Sequence, residues 1–324
     1  MSEKDGFVFA YILDGKAGGH AIDQERLRQW SAEQGTLWLH LDYTSEKVQR
    51  WLSKESGLSL LLVESLLAED TRPRCLVSEE GLLLILRGVN CNPGSDPEDM
   101  VSLRMLFTEH RIITMRHRRV MAIDDIHNAI TSGSGPMCSA DFLLMVCRRI
   151  TDRMGDVVAE IDDSVDELED AVLTAESYEL RPKLSDLRRQ TISLRRYIAP
   201  QRDVIARLQN ERIPWLDDRG KAQLREIAER TARFVEDIDS ARERAAITQE
   251  ELSNRLSEQM NKAIYLLSII AAIFLPLGLL TGLLGINVGG IPGGENKWAF
   301  AIVSLSLAGI AVALIGWFKR IKWL

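Results

Sequence analysis

The chain is short of most residues that carry chemistry. It has four cysteines, Cys75, Cys91, Cys138 and Cys147, and no two of them form a C-x-x-C pair. That scatter excludes a zinc ribbon or a disulfide framework and suits a reducing compartment. Its five histidines, His20, His40, His110, His117 and His127, never stand three or four apart, so none forms a helical metal pair. Glycines gather in Asp14-Gly-Lys-Ala-Gly-Gly19 without the G-x-x-x-x-G-K-[ST] order, so this segment reads as a strand-to-helix loop rather than a phosphate cradle. No nucleophile constellation is visible, and the expectation is that the protein is not an enzyme. Positive charge is not in excess either: the net charge is −7, and the arginines from Arg181 to Arg207 are interleaved with Asp186 and Asp203 at helical spacing. A solvated helix face is expected there, and nucleic acid is not an expected partner.

The most informative lack is of charge in two long runs. Between Lys262 and Glu295 no charged residue occurs, and none occurs from Trp298 to Phe318, although 27% of the chain is charged. Each run meets the roughly 20 residues that a helix needs to cross a hydrocarbon core of about 30 Å. Two buried helices of a soluble fold are the alternative, but such helices rarely run so long without a charge. Arg255 and Lys262 precede the first run, Lys319, Arg320 and Lys322 follow the second, and the connecting loop holds only Lys297 beside Glu295. Basic flanks mark the cytoplasmic side, so both termini are expected in the cytoplasm. Met1 to Asp5 leads straight into a strand-like run rather than a basic segment followed by an apolar one, so no secretory leader is expected.

Three regions follow. Residues 1–135 read as a cytoplasmic α/β domain, 136–262 as a helical stalk region and 263–324 as a membrane domain. The last divides into a first span near 263–284, an outer loop at 285–297, a second span near 298–318 and a tail at 319–324. In the first region, Phe7 to Leu13, Thr36 to Tyr43, Gly81 to Val89, Ser102 to Phe107 and Arg111 to Arg116 read as strands. Ile22 to Gln34, Ser45 to Ser53 and Ser59 to Ala68 read as helices, with Thr44 as a cap for the second. Beyond the loop Thr131–Pro136 the pattern is helical. Asp156 to Asp170 holds eight carboxylates and no Lys or Arg, while Val158, Ile161, Val165, Leu168 and Val172 keep three-four spacing. The acids read as a solvated face or as a negative tip that concentrates divalent cations. A helix with Pro182 near its start runs to about Gln209, broken or kinked near Pro200. A third opens after Pro214-Trp215 and, if continuous from Asp218 to Leu284, is about 100 Å long at 1.5 Å per residue. Its stripe Leu224, Ile227, Phe234, Ile238, Ala245 and Leu252 needs covering, and the expectation is a stalk of identical helices, one per subunit.

The first span ends in Gly285-Ile286-Asn287, a glycine-rich loop follows, and Trp298 opens the second span. With this placement, and with Trp38-Leu-His-Leu-Asp42, Thr71-Arg-Pro-Arg74, Arg195 to Asp203, Glu211-Arg-Ile-Pro-Trp215 and the terminal Lys322-Trp-Leu324, the chain resembles the CorA superfamily of divalent-cation transporters, and within it the ZntB branch, associated with zinc. The superfamily hallmark is Gly-Met-Asn, and Ile286 stands here in place of Met. The resemblance implies a homopentameric funnel in an inner membrane, whose first spans line a central pore and whose second spans face lipid. It implies zinc as the transported ion, uptake as the direction, proton coupling as a further property, and no bound cofactor. A Mg²⁺, Co²⁺ or Ni²⁺ channel of the same fold stays open, as does a membrane-anchored oligomeric sensor that transports nothing.

Five Asn287 side chains around an axis would offer neutral oxygens that hydrogen-bond the water shell of a cation without trapping it. Gly285 would let neighbouring backbones approach and the chain leave the helix, and Ile286 would support the ring by packing. The alternative is Asn287 as an ordinary helix cap. Counting back from Asn287 by three to five residues gives Gly282, Gly278, Leu275, Ala271, Leu267, Ile264 and Met260 as pore-facing. Zinc prefers nitrogen and sulfur donors, and neither span offers Cys, His, Asp or Glu, so the path suits a hydrated ion and its donors do not choose among divalent cations. Metal-ligating residues therefore stay unassigned. Glu295 is expected either to attract cations at the outer mouth or to be a plain surface residue beside Lys297. The basic residues at the inner end fit membrane orientation, with an electrostatic gate as the alternative.

Overall fold

A computed structural model describes residues 5–69, 72–174, 178–285 and 297–320. The chain divides into two compact units, Met1–Gln249 and Glu250–Leu324.

The first unit opens with a seven-stranded sheet ordered β2-β1-β3-β7-β6-β5-β4. Its strands are β1 (Phe7–Leu13), β2 (Gly19–Ala21), β3 (Thr36–Asp42), β4 (Arg74–Ser78), β5 (Gly81–Gly88), β6 (Val101–Phe107) and β7 (Arg111–Arg116). Only β3 and β7 pair in parallel, because β7 reaches β3 after a long excursion while the other neighbours lie close in sequence or meet antiparallel. Strands β3, β5, β6 and β7 bury side chains on both faces. On one face Leu37, Leu39, Leu41, Ile113 and Met115 pack with Val48 and Leu52 of α2 (Glu46–Lys54) and Leu62, Val63 and Leu66 of α3 (Leu60–Leu67). On the other, Trp38 and Phe107 meet Phe142 at ring-centroid distances of 4.9 and 6.1 Å.

The expected helix from Ile22 to Gln34 is shorter. Ile22 gives its amide to the Ala10 carbonyl, extending the sheet, and α1 spans only Gln24–Arg28, capped by the Asp23 carboxylate on the Arg26 amide at 2.9 Å. A separate short turn covers Ala32–Gln34. Thr44 does not cap α2 either. Ser45 holds that position, and the Thr44 hydroxyl instead donates to Asp42 at 2.6 Å.

After α4 (Met121–Thr131), three long helices follow: α5 (Ser139–Thr174), α6 (Leu180–Leu208) and α7 (Asp218–Leu284), with α8 (Ala299–Arg320) last. Pro200 lies inside α6 and Pro276 inside α7. The stripe of α7 is already covered within one chain: Leu224, Ile227, Ile238 and Ala245 are buried, and Phe234 lies against Gly155 of α5. This corrects the expectation that sister helices of a stalk bury it. The burial occurs within the chain, where arginines tie α7 to α6 through Arg195 to Asp239 at 2.6 Å and to α5 through Arg230 to Asp152.

The acidic run of α5 is also less free than its sequence suggests. Arg244 of α7 donates to Asp162 at 2.9 Å, to Glu169 at 3.0 Å and to Asp166, three acids at i, i+4 and i+7 on one helix face. Those bonds, Glu169 first and Asp166 next, hold the Arg244 guanidinium above its ordinary pKa. The negative-tip alternative is therefore reduced to the five carboxylates that Arg244 does not engage.

Candidate ion pathway

The residues expected to face a pore all lie on the second unit's part of α7. Met260, Ile264, Leu267, Ala271, Leu275, Gly278 and Gly282 are separated by steps of three and four, so at about 100° per residue they form one continuous stripe. All seven are exposed in the single chain, Leu275 at 72%. Ile269, half a turn away from the stripe, is buried, as is Phe318 of α8. A Cβ built on Gly278 or Gly282 would meet no atom within 4 Å, so nothing inside the chain requires glycine at either position.

The stripe offers an ion no charge and no free side-chain polar group. The two aliphatic hydroxyls of the first span bond back to their own helix: Ser268 donates to the Ile264 carbonyl at 2.8 Å, and Thr281 to Leu277 and Gly278 at 3.0 and 3.1 Å. Pro276 has no amide hydrogen to give the Ala272 carbonyl, yet the helix continues past it to Leu284. Gly285 does not turn the chain out of the helix through a left-handed conformation. It is absent from the positive-φ glycines, and its amide donates to Thr281 at 2.9 Å and Gly282 at 3.2 Å. Ile286, Asn287 and Glu295 lie outside the described residues, as do Thr71 and the terminal Lys322-Trp-Leu324.

Charges just inside the span stand elsewhere on the helix. Glu251 pairs with Arg255 at 2.7 Å and Glu258 with Lys262 at 3.0 Å, each at i, i+4 in the favourable order. By the same helical count these four lie about half a turn from the stripe. The two basic residues are thus partnered by acids on the opposite face, which argues against an electrostatic gate built from them. The stripe runs inward instead into Ser257 and Ser253, both exposed, with the Ser257 hydroxyl donating to the Ser253 carbonyl at 2.9 Å. The sequence reading missed this neutral polar continuation, and counting three or four back from Met260 would have found it.

No group of three His, Cys, Asp or Glu side chains suited to a metal ion occurs among the described residues. The histidines serve the sheet. His40 is buried with its Nδ1 2.8 Å from the Thr114 hydroxyl, and burial pushes its pKa down to about 3. His127 lies 3.0 Å from the Tyr11 hydroxyl, and Phe9 stacks on both imidazoles at 4.7 and 4.8 Å. His117 lies near Tyr43, and His110 beside Glu109.

Residues 33–320 match the family model described as CorA-like Mg2+ transporter protein. The chain belongs to the CorA-like family. It is 38% identical to the zinc transport protein ZntB of Yersinia enterocolitica over 317 residues, 98% of this chain and 96% of that one. It is 37% identical to the divalent cation transporter CmaX of Pseudomonas aeruginosa over 325 residues, 99% of this chain and 98% of the other. Its fold matches the structure of full-length CmaX with a TM-score of 0.85 over 98% of both chains. The CorA magnesium transporter of Methanocaldococcus jannaschii has the same fold, with a TM-score of 0.82 at 20% identity over 98% of this chain and 99% of that one. A CorA-like protein with two helices long and apolar enough to span a membrane is a divalent-cation transporter, not an enzyme.

Proposed function

We propose that this CorA-like chain is a homopentameric zinc transporter of an inner membrane, taking up Zn²⁺ through a central pore lined by the first span. The observation that carries this reading is the uncharged stripe from Met260 to Gly282, exposed in the single chain and opposite to the paired charges at its inner end. Five copies of such a stripe around an axis enclose an apolar path, in which Gly278 and Gly282 leave room and Leu275 and Leu267 narrow it. At its outer end Gly285, Ile286 and Asn287 form the selectivity ring, Asn287 holding the ion's water shell and Ile286 packing behind it. Glu295 attracts cations at the mouth. Helix α8 faces lipid, and both termini lie in the cytoplasm. No cofactor is needed, since zinc passes as cargo. The name of the Yersinia relative supports zinc.

The second reading is a channel for Mg²⁺, Co²⁺ or Ni²⁺, favoured by the absence of nitrogen or sulfur donors along both spans. Proton coupling finds no Asp, Glu, His, Lys or Arg inside either span. One assay separates these cases: the purified protein in liposomes, with a zinc-sensitive dye inside, run with each competing cation and with a pH gradient. Zinc-selective filling supports the proposal. Equal competition by Mg²⁺ supports the second reading, and vesicles that fill no faster than protein-free ones leave a membrane-anchored sensor. For topology, Gly293→Cys reacts with an impermeant thiol reagent from outside and a cysteine appended after Leu324 does not; the reverse labelling overturns the orientation.

A further inference from the structure

A cavity of about 460 Å³ opens between α1 and α2, within the size range of small-molecule sites. Its floor is apolar, made by Leu37 and Leu39 of β3. Two indoles stand in its lining, Trp30 and Trp51, and both remain part-exposed. Each is held by the fold: Phe7 meets Trp51 edge-on at 5.7 Å, and the Trp30 indole N–H donates to the Gly35 carbonyl at 3.2 Å. A part-exposed but fixed aromatic wall is a stacking platform that a ligand need not order.

The polar groups around these walls are nearly all of one sign. Arg28 comes from α1, Lys47 and Arg50 from α2 and Arg111 from β7, against the single carboxylate of Glu55. In a chain of net charge −7 this local excess is unusual. Lys47 is partly occupied by Asp5 at 3.0 Å, and Arg111 donates to the Ser56 carbonyl at 2.8 Å. Arg28 and Arg50, one on each bank, are exposed and form no ion pair among the described residues. A bare inorganic anion would leave the indoles and the leucine floor unused, and a wholly apolar ligand would leave the cations unused. We propose that this groove binds a planar organic anion of the nucleotide class, its ring against Trp30 and Trp51 and its phosphates on Arg28 and Arg50. Ring stacking on indoles and forked guanidinium contacts to phosphate are the two interactions such a ligand needs. The site is independent of the ion pathway.

The test uses the full-length protein purified in detergent and titrated with mant-ATP, a fluorescent adenine nucleotide. Saturable binding with a Kd of about 1 mM or tighter is expected, displaced by ATP but poorly by tripolyphosphate or adenosine at the same concentration. Arg28→Ala combined with Arg50→Ala weakens it at least about tenfold. Arg181→Ala combined with Lys183→Ala, which removes equal charge from exposed positions on α6, leaves it unchanged. Trp30→Leu, which keeps the charges, also weakens binding. Three results would each overturn the proposal: no saturable binding by the wild-type protein, equal losses in the two double variants, or displacement by tripolyphosphate as effective as by ATP.

Discussion

The two units of this chain differ in what they do with their side chains. The first closes on itself: its sheet buries Trp38, Phe107 and Phe142 together, and its helices are bound across by Arg195, Arg230 and Arg244. The second leaves Leu267, Leu275, Phe300 and Leu305 at two-thirds exposure or more, and its ion pairs Glu251–Arg255 and Glu258–Lys262 join neighbouring turns of one helix. Exposed apolar surface on that scale has no place in water. On the proposed reading, the neighbours of that surface are hydrocarbon and further copies of the chain. A single chain therefore buries most of the apolar residues of the first unit and leaves those of the second exposed.

The sharpest way to break that contrast is at Asn287. Asn287→Ala is expected to abolish zinc uptake in liposomes while expression and oligomer mass stay unchanged, because loss of a helix cap typically costs only about 1 kcal/mol. Asn287→Asp slows transport for the opposite reason, since ionised carboxylates on one axis hold a divalent cation too tightly. Wild-type zinc flux in Asn287→Ala would return Asn287 to the role of a helix cap.

Next in size is a paired substitution at two glycines that touch nothing within the chain. Gly278→Leu lies on the stripe and is expected to reduce flux by tenfold or more, on the order of the blockage expected from a side chain placed in a narrow pore. Gly309→Leu on α8, equally free of neighbours, should leave flux close to wild type. Similar loss at both positions would mean that assembly, not pore width, is being read.

A smaller effect belongs to the first unit alone. His40 has its folded pKa pushed down to about 3 from 6.5, so below 6.5 the unfolded chain binds the proton that the fold refuses. Stability contributed by neutral His40 is therefore present above about pH 6.5 and declines as pH falls, by at most about 1.4 kcal/mol per pH unit. Thermal midpoints measured between about pH 7 and pH 5 should fall less steeply for His40→Gln, which does not titrate. A small change, about 1 kcal/mol, is expected from Arg244→Ala, because this part-exposed network is screened by solvent. Arg189→Ala, whose pair with Asp186 is well exposed, serves as the control and should shift the thermal midpoint less.

Periodicity made much of this architecture legible. Strands β1, β3, β5, β6 and β7 and helices α2 and α3 announced themselves as apolar runs between turn residues. Strand β2 did not, because Gly19–Ala21 is three residues with no buried side chain, and β4 alternates exposed Arg74, Leu76 and Ser78 with half-buried Cys75 and Val77. The stripe of α7 was visible, but a stripe says only that a face is covered, never by what, and Leu224, Ile238 and Ala245 proved to be buried within the single chain. The acidic run of α5 misled similarly, since its counter-ion Arg244 lies 75 residues beyond Glu169. In the pathway, the stripe itself followed from counting, whereas the ion pairs on the opposite face needed the side chains in place.

Those opposed faces make the spacing of residues near Lys262 a form of angular memory. One residue inserted between Lys262 and Ile264 would turn everything beyond it by about 100° relative to the charged face, swinging Leu267 and Leu275 out of line with Met260. Seven inserted residues would bring them back to within about 20°, two turns further along the axis. An insertion series at this point would thus show transport that vanishes and then partly revives with helical period, a signature that neither residue identity nor hydrophobicity alone would produce.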